Sequence, residues 1–469
     1  MNILRKILAA SLAVIFVNLI TSALGNAQAQ IEQRGDTLFC APAPCVLPPV
    51  QPSNGGFVAN APIAANPLNP KHLILGSQNN NCVYPSFLGF YISNTGGSTW
   101  NLSCMVPLVV GNVEYEPDFY PMVDYDRTGA AYIAGFYIKA EDPNGFGVVA
   151  FEKSGDGGND WSYPAVALQQ PDATPAYTWL AVDANPTSPY VNTVYISAVM
   201  VGPLDDNSKN QVTVTHSADG GITWKQVPVA SVQISPQIDR ETNLVVGKDG
   251  TVYLTWMYCY VGPNACGDNK GHILLAKSSD GGNTWSKPRL ITTVNLIDAL
   301  PNTFVEITNT PVIGVDNSDG PHSGSLYVAM YSWTGSYMRV GVIRSTDGGS
   351  TWSRPVAVAP PVANHDQFFP WLSVSPTGLV GVSWLDRRND PANVNYQAFA
   401  AISRDGGKSF QPNVQLTTAF SNPNNNGSGN DWMGNYTGNT WAGPDFIAAW
   451  MDTSNGSTTQ DVVGGIRLK

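Results

Sequence analysis

Ser345-Thr-Asp-Gly-Gly-Ser-Thr-Trp352 is one of six copies of the same eight-residue phrase. The other copies begin at Ser93, Ser154, Ser217, Ser278 and Ser403 and end at Trp100, Trp161, Trp224, Trp285 and Phe410. The first copy alone has a threonine, Thr95, where the others have aspartate. The closing aromatics recur about every 60 residues, and a fixed period of that kind signals a repeat architecture. Within the phrase, Gly-Gly supplies residues that take positive φ without a Cβ clash. Asp and Ser side chains bond nearby backbone N–H groups and hold a tight turn. The phrase therefore predicts a hairpin whose final aromatic packs into the body.

The phrase resembles the Asp-box, or BNR repeat, of sialidases and related β-propellers. That resemblance implies a box joining the third and fourth strands of each blade, on the face away from the active site. On this reading the boxes identify the fold, and the chemistry lies elsewhere.

Outward from each box the repeats share one grammar. Repeat six shows it most fully: a strand over 369–374, a turn ending at Gly378, a strand over 379–384, a third over 395–402, then the box. Repeat four matches it around the turn glycine Gly250, and repeat two around Gly129. After the last box a seventh unit follows, with Trp441 near its first strand, a second strand over 446–450 and a third over 461–467. It lacks a box and a fourth strand. The Pro-rich segment 30–58 is placed to supply that strand and close the ring without a free edge. The expected fold is all-β: a single propeller over 59–469 with seven four-stranded blades. Six blades is the alternative, because the sialidase family has six.

Residues 1–29 have the form of a secretory signal. Arg5 and Lys6 precede a largely apolar run over 7–24, and Ala27-Gln28-Ala29 fits the small-x-small cleavage rule. The expectation is a secreted protein, periplasmic or extracellular, with no membrane attachment after cleavage. Export permits disulfides, and proximity suggests Cys40–Cys45, Cys82–Cys104 and Cys259–Cys266. The net charge of −11 comes without a basic stripe, which argues against nucleic acid as a partner. An anionic ligand would need local arginines. The sequence contains no motif for a metal or cofactor, and the expected species is a monomer whose partner is an extracellular glycan.

In propellers of this type, ligands bind among the loops leading into the first strand and those joining the second and third. Counting back eleven residues from the turn glycine gives Asp118, Asp239 and Gln367 in repeats two, four and six. Phe119, Arg240 and Phe368 come next, then Tyr120, Glu241 and Phe369. Glu114, Glu116, Tyr177, Glu306, His365, Asp366, Asp431 and Tyr436 lie in the same set of loops. The candidate catalytic residues are Asp239, Glu241, Asp366, Asp431 and Tyr120. Paired carboxylates suit acid–base or nucleophilic work on a glycosidic bond, with Asp366 as acid and Glu241 as base or nucleophile. Candidate substrate-binding residues are Arg240, Arg387, Asp118, His365, Trp432 and Asp386. The resemblance implies three arginines on a substrate carboxylate and a Tyr–Glu nucleophile pair. Arg240, Arg387 and Arg388 fall on the predicted face, and the Arg-Ile-Pro motif of sialidases is absent. Three functions remain open: a sialidase-like glycosidase, a binding propeller without turnover, and a polysaccharide lyase.

Overall fold

The computed structural model describes residues 40–469 except 54, 83–85, 142–145, 203–208, 262–265, 363, 430 and 431. The signal-like segment 1–29 lies outside the described residues. The regular structure described is almost wholly strand. Seven antiparallel sheets, each with a core of four strands, form a seven-bladed β-propeller. One three-residue 3-10 turn, Pro423–Asn425, interrupts this pattern.

Blade six follows the sequence grammar closely. Its strands are Gln367–Val374, Val380–Asp386, Gln397–Ser403 and Val414–Gln415, in that spatial order. Blade four runs Gln237–Val246, Val252–Tyr260, Lys270–Ser278 and Arg289–Asn295. Innermost strands begin earlier than the sequence pattern suggests, because an irregularity lets pairing resume beyond it.

Blade seven joins an early segment of the chain to a late one. Its first three strands are Gly438–Ala442, Asp445–Asp452 and Gln460–Arg467, and the fourth is Cys45–Val50 from the other end of the chain. Cys45 pairs with Arg467 and Leu47 with Gly465, antiparallel. Between blades seven and one, the Ser77 hydroxyl donates to Asp461 at 2.6 Å and the Val58 N–H to the Thr459 carbonyl at 3.0 Å. The three expected disulfides are all formed.

Each box closes on itself and on its neighbour. In 345–352 the Ser345 hydroxyl accepts from the Gly349 N–H at 2.9 Å and donates to Asp347 at 2.7 Å. Asp347 in turn accepts from the Thr351 N–H and hydroxyl, and the Trp352 indole donates to the Gly349 carbonyl. In the first box the Thr95 hydroxyl replaces the carboxylate and accepts from the Thr99 N–H at 2.9 Å. The second glycine also makes a contact that admits no side chain. A Cβ on Gly221, at φ +95°, would lie 2.1 Å from the Phe151 ring of the preceding blade. Large apolar side chains such as Trp256 and Trp384 fill the spaces between blades.

Two sets of carboxylates set the pH response. Hydrogen bonds hold box carboxylates such as Asp219, Asp280 and Asp405 down at about 2, although burial opposes this at Asp280 and Asp405. Their contribution is present above pH ~4 and is lost as pH falls towards 2; being largely exposed, they count for little each. Burial instead raises Asp124, Asp239 and Asp461 to about 7 and Glu152 to about 8. A raised carboxyl pKa means that the folded state keeps a proton that the unfolded chain releases near pH ~4, so stability falls as pH rises from there through 7 and 8. Thermal unfolding scanned from pH 3 to 9 should therefore show a maximum near pH ~4–5. Asp461→Asn should flatten the descent above it, and a Tm that rises steadily from pH 5 to 8 would contradict this assignment.

Candidate functional site

The innermost strands of blades two, three, four and six each break regular pairing beside a residue in the left-handed region. These residues are Tyr120 at φ 54°, Tyr177 at 52°, Glu241 at 54° and Phe369 at 47°. None is a glycine, so each costs on the order of 1–3 kcal/mol that surrounding contacts must offset. Thr242 offsets part of it by donating its hydroxyl to the Tyr177 carbonyl. In a regular strand Asp239 and Glu241 would share a face. The irregularity separates them.

Glu241 is 4% exposed. Its Oε2 accepts from the Thr310 hydroxyl at 3.0 Å. Burial raises its pKa, while Arg240 and Thr310 pull the other way. Arg240 lies 5.2 Å from the centroid of the Tyr177 ring. Tyr177, then Glu241 and Tyr120, favour the charged guanidinium against its desolvation. Glu306 acts on the same Arg240 and Tyr177, but from an exposed position. Tyr120 lies 6.1 Å from Tyr177, and burial pushes both phenols up. Tyr436 donates to the Pro121 carbonyl at 2.8 Å and also senses Glu241. Aromatic contacts continue outward from Tyr120 through Phe119 and Trp432 to Phe57, with centroids 5.3–5.5 Å apart.

The structure thus brings together Tyr120, Arg240 and Glu241, with Trp432 in the adjoining aromatic chain. Asp118 stands further out in the same strand as Tyr120, half-buried beside Glu116, its carboxyl raised to about 6 mainly by burial. The other predicted residues have partners of their own. Asp239 accepts from the Trp256 indole at 2.9 Å inside blade four. Asp366 is fully buried and accepts from the Met338 N–H, the Asn393 amide and Arg387. Arg387, also fully buried, donates to the Pro301 carbonyl at 2.7 Å. Asp386 accepts from the Trp384 indole at 2.7 Å and pairs with Arg388, whose guanidinium sits 4.4 Å from the Phe399 centroid. His365 is half-buried next to Asp366. Asp431 lies outside the described residues.

Sequence reasoning assigned no role to Tyr177, Thr310, Tyr331 or Glu306. Tyr177 lies in its blade's first strand as Tyr120 does, but that repeat has no turn glycine to align it. Glu306 sits on a short hairpin in which Ala299 bridges to Glu306. Arg387 fixes the turn of this hairpin at Pro301, and Asn302 bonds the Ala392 and Asn393 carbonyls of blade six at 3.2 Å. Among the described residues, no group of three or more His, Cys, Asp or Glu side chains is arranged to hold a metal ion.

Seven blades, six of them carrying a box, with a cluster of ionisable side chains at the channel mouth, define a β-propeller of the Asp-box class. Over part of its length the chain is similar to BNR-repeat β-propellers of the sialidase superfamily. The BNR repeat-like domain matches residues 229–441. A curated sialidase of Micromonospora viridifaciens is 28% identical over 246 residues, which are 48% of this chain and 34% of the sialidase. This chain thus spans about a third of that relative's length. Similar solved structures include a Hadza microbial sialidase (TM-score 0.47, 15% identity, 81% of this chain and 73% of that one). Another is an α-L-arabinofuranosidase of Fusarium graminearum with arabinobiose (TM-score 0.47, 13% identity, 75% and 93%).

Removing one partner of a buried ion pair leaves an uncompensated charge, at a cost of about 3–5 kcal/mol. Arg387→Ala should destabilise the fold by that order in urea unfolding. A loss below about 1 kcal/mol, the range of an exposed pair, would show that Asp366 does not depend on it.

Proposed function

We propose that the protein is a secreted glycoside hydrolase that acts at the channel mouth on neutral sugar chains. One observation carries this reading. Two carboxyl groups, Glu241 and Glu306, act on the same Arg240 and Tyr177 from opposite environments. Carboxyls set apart by environment are how one site supplies both an acid and a base. Glu241, biased towards its protonated form by burial, gives its proton to the glycosidic oxygen as the bond to the anomeric carbon breaks. Glu306, in contact with water, takes a proton from the water that attacks that carbon. Arg240 orients substrate hydroxyls, and Tyr120 and Tyr177 wall the reacting sugar.

The choice of neutral sugars rests on charge. Carboxylate-bearing sugars call for bidentate arginines. Arg387 and Arg388 are engaged with Asp366 and Asp386. Arg240 is left facing Glu241, with Glu306 nearby. The sialidase relative supports glycan chemistry in general. Three disulfides suit an oxidising compartment outside the cytoplasm.

The test is hydrolysis of neutral oligosaccharides, sialosides and uronate polymers in parallel. Neutral chains should be cleaved, and Glu241→Gln and Glu306→Gln should each cost about 10²–10⁴-fold in kcat. Glu241→Gln should be spared on a dinitrophenyl glycoside, whose leaving group needs no proton. Wild-type activity should decline as pH rises and Glu241 ionises. Cleavage of sialosides alone would overturn the neutral-sugar assignment. Glycan binding without turnover would favour a recognition propeller.

A further inference from the structure

The channel-mouth face holds a second built feature, between blades four and five. It is a cleft of about 280 Å³ lined by Asp268, Asn269, Asn295, Leu296, Asp298 and Trp333. In this fold the ends of second strands and the starts of third strands share a face with the mouth. Trp333 ends the second strand of blade five, Leu326–Trp333, and Asn269 immediately precedes the third strand of blade four, Lys270–Ser278.

The walls are fixed before any ligand arrives. The Cys259–Cys266 disulfide ties the loop that leads to Asp268. The Gly267 N–H donates to the Tyr260 carbonyl at 2.6 Å, and the Asn269 N–H to the Cys266 carbonyl at 2.8 Å. Asn269 takes φ 54°, and its carbonyl accepts from the Leu296 N–H at 2.7 Å. Opposite, the Asn295 N–H donates to the Ser332 hydroxyl at 3.1 Å and its amide to the Trp333 carbonyl at 3.3 Å. Rigid walls spare a ligand the ordering entropy that a loose loop would charge.

The cleft is joined to the centre. The Asp298 backbone carbonyl accepts from the Ile307 N–H at 3.4 Å, and the next residue, Ala299, bridges to Glu306. Asp298 therefore sits at the foot of the hairpin that carries the rim carboxylate. Tyr331 is fully buried and is subject electrostatically to Asp298 as well as to Glu241 and Arg240.

The lining chemistry selects the ligand. Two carboxylates accept hydroxyl hydrogens, two amides both donate and accept, and one half-buried indole offers an apolar surface. None of the lining side chains is basic. That set suits a polyhydroxylated, uncharged ring and disfavours an anionic one. The volume lies just below the roughly 300 Å³ lower end of small-molecule sites, which suits one sugar unit.

We propose that this cleft is a distal saccharide subsite, which holds one neutral sugar of a chain whose reacting unit lies at Glu241. The proposal rests on the glycosidase reading above and extends it to substrate length: the protein acts on chains and uses the cleft to hold them.

The experiment compares wild type, Trp333→Ala and Asp298→Asn on arabino-, xylo- and gluco-oligosaccharides of two to six units, and on aryl glycosides of the same single sugars. Asp298 is exposed, so its variant guards against a folding defect in the tryptophan variant. Both variants should lose about tenfold or more in kcat/KM on the longer chains, through KM, with the aryl glycosides unchanged. Equal losses on both substrate types, or none on either, would overturn the subsite. Tryptophan-fluorescence titration with the same oligosaccharides separates this proposal from the one it rests on. Saturable binding that Trp333→Ala weakens, with no turnover by wild type, would keep the cleft and remove the glycosidase. Turnover with binding that ignores Trp333 would do the reverse.

Discussion

The site depends on a backbone constraint more than on any one side-chain contact. Around the channel, four innermost strands pass through a left-handed residue at Tyr120, Tyr177, Glu241 and Phe369. Strict alternation would send Asp239 and Glu241 to the same side. Instead Asp239 turns into blade four and meets Trp256, while Glu241 accepts from the Thr310 hydroxyl. The strain is tolerable because each blade is braced by its neighbours: Thr242 bonds Tyr177 across one seam, and Thr437 bonds Phe369 across another. Four misfits in register build a polar centre that seven ideal blades would lack.

Charge is divided along the same axis. At the box face, carboxylates sit in water and are satisfied locally by serine, threonine and backbone donors. Inside the blades and seams, carboxyls such as Asp239, Asp461 and Glu241 are buried, and desolvation raises their pKa values. Asp347 and Glu241 are both acids of one family of repeats, yet hydrogen bonds hold the first ionised while burial biases the second towards its neutral form. The first kind of environment suits a turn that must not change, and the second suits a group that exchanges protons.

The blades were legible because their signals are local. Gly-Gly, an acceptor side chain and a closing aromatic specify a box within eight residues, and the turn glycines Gly129, Gly250 and Gly378 set the register. That register pointed to Tyr120, Arg240 and Glu241, which the structure brings together. It placed Tyr177 in the same loops but gave it no aligned position, because that repeat has no turn glycine. It also gave no warning that Asp366 and Arg387 would find each other in the interior, because that pairing is decided by two loops folding together. Non-glycine residues in the left-handed region leave no compositional trace, so the divergence of Asp239 from Glu241 could not be read in advance. Glu306 depends on a hairpin docked to blade six through Pro301 and Asn302, a contact nearly ninety residues long in sequence.

The strand Cys45–Val50 completes a sheet whose other members are among the last residues of the chain. As the polypeptide emerges from the ribosome, this strand must wait for Gln460–Arg467 before it has a partner. Joining such distant points in a featureless coil would cost about 5 kcal/mol of loop entropy. Blades that assemble one after another shorten the gap, until closing the ring becomes a step between neighbours. The circle therefore closes late: Cys45–Val50 finds its sheet partner only after Gln460–Arg467 has been made.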